Sequence, residues 1–72
     1  MRAIVNEDLV VMALDKEYKC ISSTSKEIAH ASIDQYEGDE VSVIVRKDRE
    51  SLIFCERMGI GYWVGNELIT VK

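Results

Sequence analysis

Thr24 to Tyr36 (TSKEIAHASIDQY) is the stretch that most restricts the fold, because helix-type spacing there is flanked on both sides by β-type sequence. Thr24-Ser25-Lys26-Glu27 fits a capping box, in which the threonine hydroxyl accepts from the N3 amide and the glutamate reaches back to the N-cap amide. Ile28, Ala29, Ser32, Ile33 and Tyr36 then fall on one face at helical spacing, with Lys26, Glu27, His30, Asp34, Gln35 and Glu37 mostly outward. Gly38 stands where a left-handed residue would end such a helix. The spacing predicts one α-helix over about residues 25–37, and the rest of the chain must supply a sheet for its apolar stripe.

Met1 to Val5 reads as a short strand or a frayed end. Leu9 to Leu14 (LVVMAL) is a continuous apolar run that periodicity alone does not assign. As a helix it would begin at Asn6, with Glu7 and Asp8 in the first turn. As a strand it would turn at Asp15-Lys16 into Glu17 to Ser22 (EYKCIS), and the β-type residues after the turn favour this hairpin. Glu40 to Lys47 (EVSVIVRK) alternates from Val41 onward, and Ser51 to Arg57 (SLIFCER) returns after a polar connection. A loop of Lys47 to Glu50 would place Arg46 opposite Ser51, Val45 opposite Leu52, Val43 opposite Phe54 and Val41 opposite Glu56. The other face would pair Ile44 with Ile53 and Ser42 with Cys55. The Val43/Val45/Leu52/Phe54 face is the greasier one and is expected to take the helix.

Met58 to Gly61 is the next connection, and Tyr62-Trp63-Val64 is strand-like. Gly65-Asn66 is a two-residue hairpin signal, so Glu67 to Val71 is expected to return with Trp63 against Leu68 and Tyr62 against Ile69. The expected fold is therefore α+β: one helix packed on an antiparallel sheet of four to six short strands, in a single domain over residues 1–72. Proline is absent, so the sheet edges lack one common guard against pairing, and an edge-strand homodimer is an open option.

A chain of 72 residues buries only about 60–65% of its unfolded surface, so its core is marginal. Cys20 and Cys55 form no CxxC pair, and zinc is not expected. With no secretory signal or long apolar span in the sequence, a cytoplasmic protein with reduced thiols is expected, a Cys20–Cys55 disulfide being the alternative. Net charge is −4, unevenly spread: residues 1–40 carry −5 and residues 41–72 carry +1. That balance lacks the basic footprint of a duplex-DNA binder.

No catalytic motif emerges. His30 is the one histidine and sits on the outward side of the predicted helix, away from any Ser or Cys it would activate. Gly59, Gly61 and Gly65 do not have the spacing of a phosphate loop, and Asp34 to Glu40 does not match a calcium loop. No enzyme, metal or cofactor is expected. Two surfaces are candidates for a partner. One is the acidic patch Asp34, Glu37, Asp39 and Glu40 at the helix exit, suited to Arg or Lys on another protein. The other is the sheet face away from the helix, with Ile44 and Ile53 at its centre, Arg46 and Arg57 at its rim, and Cys55 beside them. Of the adjacent Tyr62 and Trp63, one is expected in the core and the other is a possible anchor.

The order strand, Ser/Thr-capped helix (Thr24 to Tyr36), valine strand (Val41 to Val45), Leu52-Ile53-Phe54 and Gly61-Tyr62-Trp63 resembles the short α+β anti-CRISPR proteins among small phage-encoded inhibitors. The resemblance spans roughly residues 9–64 as a pattern of elements, and no site residue carries over. It implies a non-enzymatic blocker of a bacterial defence complex, working in the host cytoplasm. The expected function is accordingly a non-catalytic protein-binding module that occludes a site on a host protein complex. The alternative is a dimeric nucleic-acid-binding regulator acting through the more basic half.

Overall fold

Short runs rich in Val, Ile, Tyr and Phe, separated by polar or glycine-containing turns, favour pleated strands. The computed structural model, which describes residues 1–24 and 33–72, has seven of them. They are β1 (Arg2–Val5), β2 (Leu9–Ala13), β3 (Tyr18–Ser22), β4 (Glu40–Arg46), β5 (Glu50–Cys55), β6 (Ile60–Gly65) and β7 (Ile69–Val71). One mixed sheet contains them all, in the order β2-β3-β6-β5-β4-β1-β7. Every pairing is antiparallel except that of β3 with β6. A 3-10 turn at Asn66–Leu68 is the only helical element among the described residues.

This corrects the α+β expectation: the described residues form almost entirely β-sheet, with no α-helix among them. Most of the predicted helix, residues 25–32, lies outside the described residues. Its last part is described and is not helical. Asp34 and Gln35 donate their N–H groups to the Leu9 carbonyl, and Leu9 N–H donates to the Gln35 carbonyl. Backbone groups engaged with β2 in this way are not available to a helical ladder, so tertiary pairing overrides the local periodicity.

The connection between β1 and β2 dictates the shape of the sheet. From Val5 to Leu9 is four residue steps, at most about 14 Å of chain. In a flat sheet, β1 and β2, sixth and first in order, would stand about 24 Å apart at roughly 4.8 Å per strand. The sheet therefore curls until its ends approach, and residues 33–39 close the seam. Leu9 pairs with Gln35 on the β2 side, while Val5 N–H donates to the Asp39 carbonyl (2.9 Å) and Gly38 N–H to the Val5 carbonyl (2.8 Å) on the β1 side. Gly38 turns this segment at φ 90°, a conformation glycine adopts without a Cβ clash.

The inside of so narrow a roll admits small side chains. Ala3, Val5, Cys20, Val41, Cys55 and Val64 line it, together with Leu9, Val43, Ile53 and Ile69. Tyr62 is the one large ring there, fully buried, and its hydroxyl donates to Gln35 Oε1. Gln35, itself buried, donates through Nε2 to Asp39 Oδ2. A polar thread thus runs from the centre of the core to the seam, and burying Tyr62 leaves no orphaned hydroxyl.

The β2–β3 hairpin forms as expected, with Leu9 opposite Ser22 and Ala13 opposite Tyr18, closed by Leu14 N–H donating to the Glu17 carbonyl. Met1 to Val5 supplies a strand rather than a frayed end. Between β4 and β5 the expected pairs Arg46/Ser51 and Val45/Leu52 hold, but the register then shifts at Ile44. Val43 now faces Ile53, and Ser42 faces Phe54. A bulge adds one residue to a strand and bends it, which suits a sheet that must curl.

The Gly65-Asn66 hairpin does not form. Asn66 instead holds the β4–β5 turn, accepting from Ser51 Oγ (2.6 Å), donating through Nδ2 to the Lys47 carbonyl (2.8 Å) and through its backbone to Arg49 (2.9 Å). β7 passes on to pair with β1, with Ile69 opposite Val5.

Ile53 and Ile44 test the shifted register, because one is fully buried and the other is 57% exposed. Ile53→Ala is expected to cost about 2–5 kcal/mol in urea unfolding. Ile44→Ala should fall within about 0.5 kcal/mol of wild type. Similar losses at both positions would contradict the bulge.

Candidate interaction surface

Strand alternation that turns small residues inward turns larger ones outward. Across the outer face, register places Met12, Lys19, Trp63, Leu52 and Val45 in one row over β2, β3, β6, β5 and β4. In the next row Phe54 lies between Gly61 and Ser42. Val45 is 39% exposed, and Ile44 stands out beside it on the bulge. Gly61, two residues before Trp63 on the same side of β6, carries no side chain, and the Leu52 side chain packs 3.7 Å from where its Cβ would stand. Lys47 lies with Nζ 4.8 Å from the centre of the Trp63 ring, a cation–π contact. The outcome is an apolar surface with a tryptophan at its middle and lysines beside it.

The residues singled out in the sequence land differently. Ile53 is fully buried and paired with Val43, so the expected Ile44/Ile53 face is corrected: the bulge sends Ile44 outward while Ile53 stays in the core. Cys55 is likewise core. Arg46 is exposed at the end of β4, opposite the inward-facing Ser51. Arg57 lies in the turn after β5, where its guanidinium donates to the Asp34 carbonyl at the seam. Tyr62 and Trp63 divide as expected, one to the core and one outward. Sequence reading missed the pairing of Leu52, Phe54 and Trp63 on one outer face. The available signal was size, because the complementary set, Ser51, Ile53, Cys55 and Val64, is the smaller and better suited to a narrow interior.

The acidic residues are largely engaged within the fold rather than gathered at a helix exit. Asp34 accepts from Val11 N–H (2.9 Å), capping an amide of the β2 edge. Asp39 accepts from Gln35 and from Tyr36 N–H (3.0 Å). Glu40 pairs with Lys72 (3.0 Å) and Arg2 (3.2 Å), and Arg2 also reaches Glu56 (3.2 Å) and Ser42 (2.7 Å). Glu37 is exposed, and its backbone N–H donates to Asp8 Oδ1.

An open cleft of about 290 Å³ lies between the seam and the end of β5, lined by Gln35, Asp39, Glu40, Cys55, Glu56 and Arg57. Its carboxylates already have partners in Gln35, Arg2 and Lys72. Both cysteines are buried free thiols. Burial, with Asp34 nearby, pushes the Cys20 thiol up to about 12, which keeps it protonated and unreactive. Burial likewise raises the Tyr62 phenol well above its ordinary range. Among the described residues no group of three His, Cys, Asp or Glu side chains is placed to hold a metal ion. No helix among them is long and apolar enough to cross a membrane.

No protein-family model, curated protein or solved structure matches the chain.

Hydrogen bonds from Lys72 and then Arg2 hold the Glu40 carboxyl below its ordinary value of 4.5. A lowered folded-state value means that Glu40 contributes stability above pH 4.5, which is lost as pH falls through the lowered value. Glu40→Gln should therefore be slightly less stable than wild type at pH 7, with a gap that closes as pH drops well below 4.5. Urea midpoints measured between neutral and acid pH check this. A gap independent of pH would contradict it.

Proposed function

We propose that this chain is a small non-catalytic module that binds another protein through the outer face of β4, β5 and β6. The observation that carries the reading is the exposed Ile44/Val45 pair continuous in register with Leu52 and Trp63, with Phe54 alongside. Ile44 and Val45 are exposed while Leu52, Phe54 and Trp63 are half-buried, and apolar surface left in water beside a tryptophan is the composition of a contact site. The rolled sheet holds this face on paired strands, so little ordering entropy is lost on docking. Mechanism is occlusion: a rigid patch covers a site on its partner. The two buried free thiols support a reducing, cytoplasmic setting.

Trp63 flanked by Lys19 and Lys47 also suits stacking of a single-stranded base, the competing reading. Capture from a cell lysate on immobilised wild type and on Val45→Glu, each checked for folding by circular dichroism, separates the two. A stoichiometric protein is expected on wild type, with binding weakened at least about tenfold in the variant, as for a contact worth 1.4 kcal/mol or more. Recovery of nucleic acid alone, or equal capture by both, would contradict the proposal.

A further inference from the structure

Charge on the outer face says what kind of protein segment it takes, granted the protein-binding reading above. Lys19 stands directly across from Trp63 in the β3–β6 register, and Lys47 lies over the indole from the β4–β5 turn. Among the described residues neither lysine forms an ion pair, whereas Arg2 and Lys72 are tied to Glu40 and Glu56. Lys19 and Lys47, like Lys16, Arg46, Arg49 and Arg57, thus have no carboxylate partner among the described residues, and these two border Trp63 on the outer face. We infer that the occupant is an acidic apolar segment of another protein, with one or two carboxylates reaching Lys19 and Lys47 while neighbouring apolar side chains cover Val45, Leu52 and Phe54.

The net charge of −4 does not oppose this. Charges farther than about 8 Å are largely screened at physiological salt, so the local pairs decide. A lysine already placed over a ring also loses less freedom when a carboxylate arrives. A nucleic-acid strand fits less well. It brings a charge with every nucleotide and needs a continuous basic track. Here Glu50 on the outer side of β5 and Glu56 just beyond the strand bracket Leu52 and Phe54. A peptide can place its carboxylates only where the lysines are.

The test is selection of a randomised displayed peptide library on the immobilised full chain, followed by titration of the enriched synthetic peptides using Trp63 fluorescence. Val45→Glu, the Lys19→Glu/Lys47→Glu double variant and a dodecamer of deoxythymidine are the comparisons. Enriched peptides should carry Asp or Glu among apolar residues and bind both variants at least tenfold more weakly. Neutral or basic peptides that lose affinity for Val45→Glu but not for the lysine variant would overturn the acidic occupant and leave the protein-binding face standing. Failure to enrich any peptide, or tighter binding of the oligonucleotide than of any peptide, would overturn both.

Discussion

Closure of the rolled sheet depends on one short set of backbone bonds, those that residues 33–39 make to Leu9 on one side and Val5 on the other. A three-residue link between strands that sit far apart in sheet order forces the curl, and the seam segment pairs with the β2 edge at Leu9 while prolonging the β1–β4 ladder at Val5. Gln35 does two jobs there. Its backbone bridges to β2, and its side chain relays the Tyr62 hydroxyl to Asp39. The interior is then filled by alanine, valine and cysteine with Leu9, Ile53 and Ile69 around one tyrosine.

The proposed binding surface follows from that choice of inside. With Val41, Val43, Ser51, Ile53 and Val64 turned in, Val45, Leu52, Phe54 and Trp63 have nowhere to go but out. The acids at 34, 39 and 40 that look available in the sequence are mostly held by the seam and by the ion pairs of Glu40 with Arg2 and Lys72. The surface proposed for a partner is an apolar face with Lys19 and Lys47, which have no ion pair among the described residues, on a protein whose overall charge is negative.

Strand-type segments were legible from their alternation, and so was the β2–β3 hairpin, because a polar turn separates two runs of matched length. The end of the predicted helix was not, since residues 33–36 show helical spacing while their backbone partner, Leu9, is remote in sequence. The bulge at Ile44 leaves no trace in the alternation of Val41 to Val45, yet it moves Ile53 from a proposed surface into the core. The Gly65-Asn66 turn signal was real as a local preference. Its asparagine is engaged by Ser51 and Lys47 instead, and β7 is thereby free to complete the sheet beside β1. In each case a contact distant in sequence outweighed a local pattern.

Proton–proton contacts measured by nuclear Overhauser spectroscopy on the free protein test the central claim most directly. Cross-strand contacts are expected between Leu9 and Gln35 and between Val43 and Ile53, with the Tyr62 ring close to the Gln35 side chain. A run of helical contacts through residues 33–37, or Ile44 facing Ile53 across the strands, would contradict it and would turn the other face of the sheet outward.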